Sequence, residues 1–537
     1  MDDKTARQEQ TDNVEGDDDN PSAEHTEGKK IDSLKKRYSF KLGANLTVLP
    51  ISLVSQSLIA RGLGPAAYGD FNFLTNFFTQ AVGFFDTGTS LGLYTKLSQR
   101  QDEPGLVKFY WYFAGIVSIL LVVLLVLTYI LNEQNLFFPN QQLRFVGMAL
   151  MFSLFTWFST IVSKLVDAFG LTTGGEVFRV IQRVFSLALL LPLFFAGMLN
   201  LTSFFYYNYV IILALCFGWA AVLKRNGVAA IPRIVVRGKE LRKYASEFYR
   251  YSSPLLSYSF VGVIVGILDL WLLQKFSGSL QQGYYALSFK MASVCFLFTN
   301  AMTPLLMREF SVAFGQDDIA EMKRLFTRFV PMFYTIAAIL SVFLAVQADA
   351  VTVLFGGRAF EGASLPLALM ALYPVHQTYG QLSGSVFYAI GKTKLYRNIG
   401  MTMMVIGEVV TFFLIAPRTL FGLNLGALGL AIKMVSVQFL SVNVQLFFNA
   451  RFLSVNFTKF LLHQLIIAAI LGLIALASRA ISDLAFKDLI VTFLLSGVLY
   501  VTVTAILIYL FPQLIFMSRE EKNQIVATVS KRLLKAF

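Results

Sequence analysis

The sequence predicts an all-α polytopic membrane protein with two six-helix lobes and one further helix pair. Three observations lead to this fold class. Hydrophobic residues make up 56% of the 537 residues and aromatic residues 15%, which is too apolar for a soluble protein. The apolar residues form about fourteen separate runs, and a turn near residue 64 has a counterpart 214 positions later.

Each transmembrane helix needs about 20 apolar residues to cross a hydrocarbon core of roughly 30 Å. The fifth run contains two arginines, and the eleventh is short and contains a glutamate, so these two are the weakest of the set. The fourteen predicted spans are 40–60, 71–94, 109–131, 145–166, 177–196, 204–223, 253–273, 284–306, 329–348, 363–389, 399–416, 425–448, 460–477 and 489–511.

The two ends of the chain differ from this apolar body. Residues 1–28 hold ten acidic and two basic side chains, which predicts a disordered acidic tail on the cytoplasmic side. The rest of the chain then carries a net charge of +21. Most of that excess fits basic cytoplasmic loops and anionic lipid, and the remainder is available to an anionic substrate. Residues 518–537 predict an amphipathic cytoplasmic tail.

Basic residues in the connections predict the topology. Connections after even-numbered spans hold 23 Lys and Arg residues, whereas those after odd-numbered spans hold 7. Because basic residues are retained in the cytoplasm, both termini are predicted to be cytoplasmic. The predicted domains are the tail 1–28, the N-lobe 29–223 (spans 1–6), the basic cytoplasmic linker 224–250, the C-lobe 251–450 (spans 7–12), spans 13 and 14 in 451–517, and the tail 518–537.

A short polar stretch at 59–73 separates the first two spans and is repeated later in the chain. Its glycines predict a tight turn between membrane helices, since glycine tolerates positive φ. At a spacing of 214 residues Gly278 falls on Gly64 and Gly283 on Gly69. This duplication predicts two lobes that enter the membrane in the same orientation, related by an axis along the membrane normal.

The turn Ala60-Arg-Gly-Leu-Gly-Pro-Ala-Ala-Tyr-Gly-Asp-Phe resembles the polysaccharide-export branch of the multidrug/oligosaccharidyl-lipid/polysaccharide exporter superfamily, the O-antigen type flippases. The two lobes and the extra pair share the resemblance, which covers about residues 38–511. It implies a V-shaped, alternating-access transporter in the bacterial cytoplasmic membrane. The implied substrate is an undecaprenyl-diphosphate-linked oligosaccharide for O-antigen, capsule or exopolysaccharide. The implied partners are membrane lipids, a polysaccharide polymerase and a chain-length regulator.

Ionisable residues inside or beside the spans are the candidate site residues. Each costs about 2.5–3.5 kcal/mol at the centre of a membrane helix, so it requires a watery cavity or a partner. The candidate ion-coupling or cavity carboxylates are Asp86, Asp269 and Glu408, and the candidate substrate-binding cations are Arg61, Arg179, Arg183, Lys290 and Lys433.

Two interpretations stay open for the charges in the spans. Asp269, Glu408 and Lys433 either face a cavity or pair with one another across helices. Arg179 and Arg183 lie one helical turn apart on one face, so their mutual repulsion favours an anionic partner.

The charges beside the turns and the histidines are also open to two interpretations. Arg61, and Lys275 at the repeated position, either snorkel to the headgroups or form a cationic rim. His376 and His463 are predicted to pack or hydrogen-bond in place, rather than to relay protons.

Two other functions remain as alternatives. A multidrug extruder is the first, but drug/proton antiporters of the superfamily have an acidic residue in span one, where this chain has only Asn45 and Gln56. A membrane polymerase or ligase is the second, and it predicts a long outward loop rich in Arg and His, whereas 349–362 contains one Arg. The sequence therefore predicts no enzyme activity, cofactor, metal or nucleic acid, and Cys216 and Cys295 are predicted to pack.

Overall fold

A computed structural model describes residues 34–516, and all regular structure within that range is helical, which confirms the all-α fold. The predicted tails 1–28 and 518–537 lie outside the described residues. The α-helices are α1 (Leu34–Asp86), α2 (Thr89–Gln99), α3 (Pro104–Ile130), α4 (Gln134–Phe137), α5 (Leu143–Ala168), α6 (Thr172–Phe195), α7 (Leu201–Arg225), α8 (Lys239–Ala292), α9 (Leu297–Gly315), α10 (Ile319–Val346), α11 (Ala348–Gly356), α12 (Ser364–Met370), α13 (Tyr373–Ala389), α14 (Thr393–Ile415), α15 (Gly426–Leu453), α16 (Phe457–Ala485) and α17 (Leu489–Leu510).

The two longest helices, α1 and α8, have 53 and 54 residues, and each is broken at one glycine. Gly64 has φ 70° and ψ 169°, and Gly278 has φ 75° and ψ −178°. Residues with a Cβ avoid this region, so the two glycines of the predicted repeat are required by the backbone. The same unusual conformation 214 residues apart confirms the internal repeat.

Hydrogen bonds across the two breaks demonstrate that the chain turns back on itself there. Gln56 Nε2 lies 2.5 Å from Tyr68 Oη, although twelve residues of straight helix would place them about 18 Å apart. In the second copy Gln282 donates to the carbonyl oxygen of Leu270. These two residues lie 214 positions after Tyr68 and Gln56, respectively. The predicted tight turn is thus a reversal at a single residue, with helix on both sides.

Buried apolar side chains form two large, separate cores. The first lies within residues 73–248 and joins α1–α3, α5, α7 and the start of α8. The second lies within residues 306–500 and joins α9, α10, α13 and α15–α17. We call α1–α7 the N-terminal half and α8–α15 the C-terminal half. Two separate cores agree with an arrangement in two lobes. The lobe boundaries at 223 and 251 stay predictions.

The basic segment 224–250 packs on the first core. Trp111 Nε1 donates to the carbonyl oxygen of Ala230 at 2.9 Å, and Phe248 at the start of α8 is buried in that core. α8 therefore begins against the N-terminal half and continues into the C-terminal half. The segment is anchored along its length, so it does not act as a loose tether.

Ten helical stretches in the described residues are long and apolar enough to cross a membrane, which confirms a multi-pass membrane protein. Each predicted span coincides with one or two helices, and the number fourteen stays a prediction. Predicted span two is interrupted at Gly88, which is left-handed with φ 76°. Span eight is interrupted by a 3-10 turn at Ser293–Phe296. Span ten is divided between α12 and α13, where Pro374 lacks an amide hydrogen and starts the second helix.

The last two helices, α16 and α17, pack against α10. Tyr500 donates to the carbonyl oxygen of Ile339 at 2.9 Å, and Tyr334 donates to that of Gln464 at 3.2 Å. Between helices in lipid such bonds contribute about 0.6 kcal/mol each, and close packing supplies the rest. The helix pair is therefore attached to the C-terminal half.

Candidate functional site

The two repeated turns pack against each other where the halves meet. A Cβ on Gly69 would overlap the carbonyl oxygen of Ser279, and a Cβ on Gly283 would overlap that of Pro65. Backbone lies against backbone, which is possible only because both positions are glycine. We call this contact the seam.

A carboxylate adds a polar link across the seam. Ser279 donates to the carboxylate of Asp70, and Gln141 Nε2 donates to the same carboxylate at 2.6 Å. Burial raises the pKa of the Asp70 carboxyl, and these two hydrogen bonds oppose that rise. The N-terminal half thus holds the C-terminal turn by a side chain as well as by backbone contact.

Beyond the turns, the second segment of α1 and then α2 continue to contact α8. Thr87 Oγ1 lies 3.2 Å from Ser259 Oγ. At the far end Glu247 accepts hydrogen bonds from Arg100 at 2.6 Å and Lys96 at 3.0 Å, and these bonds hold the pKa of its carboxyl below the usual range. These contacts join the two sides at separate places, and a cavity of about 320 Å³ is lined by both α1 and α8, including Phe84 and Phe260.

The first segment of α1 meets α8 differently. Ala60 and Leu287, next to the turns, are fully buried. Val54 and Phe289, farther from the turns, are 50% and 39% exposed. Exposed and buried side chains thus alternate along both helices beyond the turns, since Ser55 and Met291 are only 8% and 3% exposed.

Arg183 on α6 and Lys290 on α8 bring positive charge from both halves. The two side chains are exposed, and they lie close enough to repel each other electrostatically. Among residues 34–516 neither of the two has a carboxylate at ion-pair distance. Arg179 does, because its guanidinium lies 2.7 Å from Glu176. Sequence reasoning missed Glu176, although its spacing of three residues from Arg179 is an ion-pairing signal.

The helix faces that carry Arg183 and Lys290 also carry residues that are buried within the protein. Arg183 lies on the same face of α6 as Glu176 and Leu190, which are buried, at helical spacings of seven. Lys290 lies on the same face of α8 as Gly283, which is buried at the seam. Each of the two cations thus continues a helix face that packs inside the protein, and this placement favours an inward orientation for both.

The charges of the C-terminal half pair with one another. Lys433 Nζ lies 2.5 Å from Asp269 Oδ2 and 3.8 Å from Glu408 Oε1, and Thr411 donates to Asp269 Oδ1 at 2.7 Å. Of the two interpretations left open by the sequence, the structure therefore favours pairing for these three charges. Lys433 is not placed as a free substrate-binding cation.

This cluster holds two carboxylates and one ammonium. Both carboxylate oxygens of Glu408 are buried, and neither has a hydrogen-bond partner among the described residues. Since an uncompensated buried charge is costly, the cluster requires a proton or a second cation to become neutral. That requirement keeps Asp269 and Glu408 as candidate ion-coupling residues.

Two other candidates have structural partners. Asp86 accepts hydrogen bonds from the hydroxyl of Tyr110 at 2.6 Å and the amide of Ser90 at 3.1 Å, so it caps the start of α2. Arg61 donates to the carbonyl oxygen of Leu354 at 2.7 Å, near the end of α11. A cation is favourable at a helix C-terminus, so Arg61 ties the N-terminal turn to the C-terminal half.

His376 and His463 lie outside these sites. His463 Nε2 is 2.9 Å from the carbonyl oxygen of Leu514, and the ring of His376 packs edge-on against Phe439 at 5.0 Å between centroids. These contacts agree with the packing interpretation. Within the described part of the chain, no group of three or more His, Cys, Asp or Glu side chains is arranged to hold a metal ion.

A family model described as polysaccharide biosynthesis protein matches residues 34–305, which is half of the chain. The fold is similar to that of the lipid II flippase MurJ in an inward closed conformation, with a TM-score of 0.65 and 14% identity over 88% of this chain and 99% of that one. It is also similar to an inward-facing multidrug resistance MATE family transporter of the MOP superfamily, with a TM-score of 0.55 and 14% identity over 75% of this chain and 94% of that one. No curated protein sequence matches the chain.

Proposed function

Because the chain belongs to the polysaccharide biosynthesis protein family, we propose that it is a flippase that moves an undecaprenyl-diphosphate-linked oligosaccharide across the bacterial cytoplasmic membrane. It works by alternating access, in which the lobes 29–223 and 251–450 open in turn to the two sides. The product serves the assembly of a surface polysaccharide, where a polymerase and a chain-length regulator act next. Its fold is shared with transporters, which supports transport over catalysis.

Arg183 and Lys290, which have no carboxylate at ion-pair distance among residues 34–516, are the observation that carries this proposal. A diphosphate that crosses a membrane needs fixed positive charge where the dielectric constant is low and ion pairing is strong. Arginine suits this role, since its planar fork binds phosphate oxygens bidentately and stays charged when buried. The same two charges would repel a cationic drug, so they favour an anionic substrate over multidrug extrusion.

The state of the seam also supports alternating access. The turns are closed by backbone contact, and some side chains of α1 and α8 farther from the turns, such as Val54 and Phe289, are exposed. A transporter that waits for a cytoplasmic substrate requires this arrangement, with the outer side shut. Opening the seam then requires Gly69 to separate from Ser279 and Asp70 to release the same serine.

Substitution of the cations tests the proposal. Arg183→Ala, alone or with Arg179→Ala, should lower polymer export by about ten- to a hundred-fold, since a hydrogen bond to a charged group is worth roughly 1.5–3 kcal/mol. Arg183→Lys should rescue export only partly, because an ammonium lacks the bidentate fork. Export is measured as surface polymer per cell, and protein level as immunoblot signal in the membrane fraction.

Arg233→Ala is the matched control, because Arg233 is an exposed arginine of the segment 224–250. It should leave both export and protein level at the values of the unmodified protein. Full export by the Arg179→Ala, Arg183→Ala double variant would remove both residues from the mechanism. Arg183 would then serve topology alone, and Arg179 its ion pair with Glu176.

The orientation in the membrane is part of the proposal and has its own test. The 23-to-7 distribution of basic residues places the termini and residue 235 in the cytoplasm and residue 355 outside. Sidedness reporters fused after residues 235 and 355 should give opposite signals. An outside signal at residue 235 would overturn the assignment of both termini to the cytoplasm.

A further inference from the structure

A polar cavity lies inside the C-terminal half, beside the pair of Asp269 and Lys433. It has a volume of about 340 Å³ and is enclosed by α8, α13, α14 and α15. Small-molecule sites in proteins measure roughly 300–1,000 Å³, so this cavity is at the small end of the range. Its size suits a single sugar ring and excludes a whole oligosaccharide.

The lining combines polar and apolar side chains, and its charged groups sum to zero. Among the described residues that line it, the charged side chains are Asp269 and Lys433, which neutralise each other at 2.5 Å. The rest of the polar lining consists mainly of amides and phenols, which are Gln377, Gln381, Gln438, Gln445, Tyr258, Tyr373 and Tyr396. An amide both donates and accepts hydrogen bonds, and a tyrosine offers a flat apolar ring with a polar tip. A neutral ring that carries several hydroxyl groups matches this combination.

One polar group of the lining has no partner of its own. Gln445 is only 5% exposed, and its Oε1 accepts no hydrogen bond from the described residues. A buried acceptor without a partner costs about 1–3 kcal/mol, and native proteins seldom leave one unpaired. A hydroxyl group of a bound ligand would satisfy it.

Glycine keeps the cavity open on the α8 side. Of the described atoms, a Cβ at Gly262 would meet only the methyl carbon of Met404, at 3.9 Å, so its Cα faces empty space. Glycine inside a helix costs about 1 kcal/mol relative to alanine. Gly262 therefore has a role that offsets its cost to the helix, because its missing side chain leaves room in the cavity.

We propose that this cavity binds one sugar unit of the transported lipid-linked oligosaccharide. The inference rests on the proposed function and adds a second contact between the protein and its substrate. The cations Arg183 and Lys290 hold the diphosphate, and the cavity of the C-terminal half recognises the sugar by hydrogen bonds. Different sites thereby recognise the two ends of the substrate, one by charge and the other by hydrogen bonds to hydroxyl groups.

Binding to the purified full-length protein in lipid nanodiscs tests this division with three probes. They are undecaprenyl diphosphate, the lipid-linked oligosaccharide extracted from cells that make the polymer, and the free oligosaccharide released from that lipid by mild acid. The lipid-linked oligosaccharide should bind about ten-fold more tightly than undecaprenyl diphosphate, as two hydrogen bonds of roughly 0.7 kcal/mol each require. The free oligosaccharide should bind more weakly than either lipid.

Gly262→Leu fills the cavity and should remove the ten-fold gain while leaving the affinity for undecaprenyl diphosphate unchanged. Gly472→Leu is the matched control, since Gly472 is a helical glycine of α16 that lies outside the cavity, and no described atom lies within 4 Å of where its Cβ would stand. Gln445→Met keeps the side-chain volume, removes the acceptor and should reduce the gain. This second variant keeps the test decisive if Gly262→Leu fails to fold.

Three results would overturn the inference. Equal affinity for the two lipids would exclude a sugar site and leave the proposed function intact. A ten-fold gain that survives both Gly262→Leu and Gln445→Met would place the sugar elsewhere. Tighter binding of the free oligosaccharide than of its lipid-linked form would assign the cavity to a soluble sugar. Failure of both lipids to bind would instead reject the proposed function itself.

Discussion

The N-terminal and C-terminal halves each begin with a long helix that is broken at one glycine, Gly64 in α1 and Gly278 in α8. Their charges are arranged differently. The N-terminal half leaves Arg183 exposed, with no carboxylate at ion-pair distance among the described residues. The C-terminal half buries Lys433 between two carboxylates, beside a cavity lined by amides and phenols.

This difference teaches that the backbone repeat and the side-chain chemistry serve separate purposes. The repeated glycines let the two helices meet backbone to backbone, which gives a symmetric joint at the seam. The proposed substrate is itself asymmetric, with a charged diphosphate at one end and sugars at the other. In the proposed mechanism, two similar lobes with different linings match such a substrate.

The largest effect is expected where the charge is buried. Lys433→Met leaves Asp269 and Glu408 without their cation, and breaking a buried ion pair costs roughly 3–5 kcal/mol. The variant should lose thermal stability in detergent and reach the membrane at a lower level. Arg183→Met should leave both quantities near those of the unmodified protein. No described carboxylate lies at ion-pair distance from Arg183, so its removal leaves none of them unpaired.

Neutralising Asp269 and Glu408 in the Lys433→Met variant sharpens the comparison between the two halves. Lys433→Met combined with Asp269→Asn and Glu408→Gln should recover much of the lost melting temperature, because no unpaired charge stays buried. The melting temperature is read from unfolding followed by intrinsic fluorescence. Equal melting temperatures for Lys433→Met and Arg183→Met would contradict the distinction between a structural and a substrate-facing cation.

A smaller effect is expected at the joint that the two halves share. Gly69→Ala places a methyl group against the carbonyl oxygen of Ser279, so it should favour the open seam. Spin labels at Ala67→Cys and Gln281→Cys, in a background without the native cysteines, should give a short and a long distance. Gly69→Ala and added lipid-linked oligosaccharide should both change the proportions of these two populations.

Gly83→Ala is the control for this measurement, because no described atom lies within 4 Å of a Cβ at Gly83 in the same helix. It should leave the distance distribution unchanged. A single distance that neither Gly69→Ala nor the substrate alters would count against motion at the seam.

Much of the fold follows from the sequence, because membrane helices are encoded by long local signals. The fourteen apolar runs coincide with helices, and the spacing of Gly64 and Gly278 predicts the repeat that both φ angles confirm. The helix breaks within the predicted spans are harder to predict from the sequence. Gly88 and Pro374 interrupt apolar runs by backbone geometry, and a hydrophobicity pattern does not register them.

Pairing of the site residues depends on contacts between distant helices, which the sequence does not specify. Lys433 and Asp269 are 164 positions apart, and their pairing depends on how α8 and α15 are rotated about their axes. Arg61 meets the end of α11, nearly 300 positions away, through the packing of the two halves. The pair of Arg179 and Glu176 is local, so its spacing alone could have identified it.

The most direct test of the central claim is flipping by the purified protein. Liposomes containing it receive a lipid-linked oligosaccharide with a fluorescent sugar, and a membrane-impermeant quencher reports the fraction in the outer leaflet over time. The protein should equilibrate the leaflets, Arg183→Ala should be about ten- to a hundred-fold slower, and Arg233→Ala should match the unmodified rate. Equal rates for Arg183→Ala and the unmodified protein, or no flipping above empty liposomes, would contradict a flippase that carries the diphosphate on this cation.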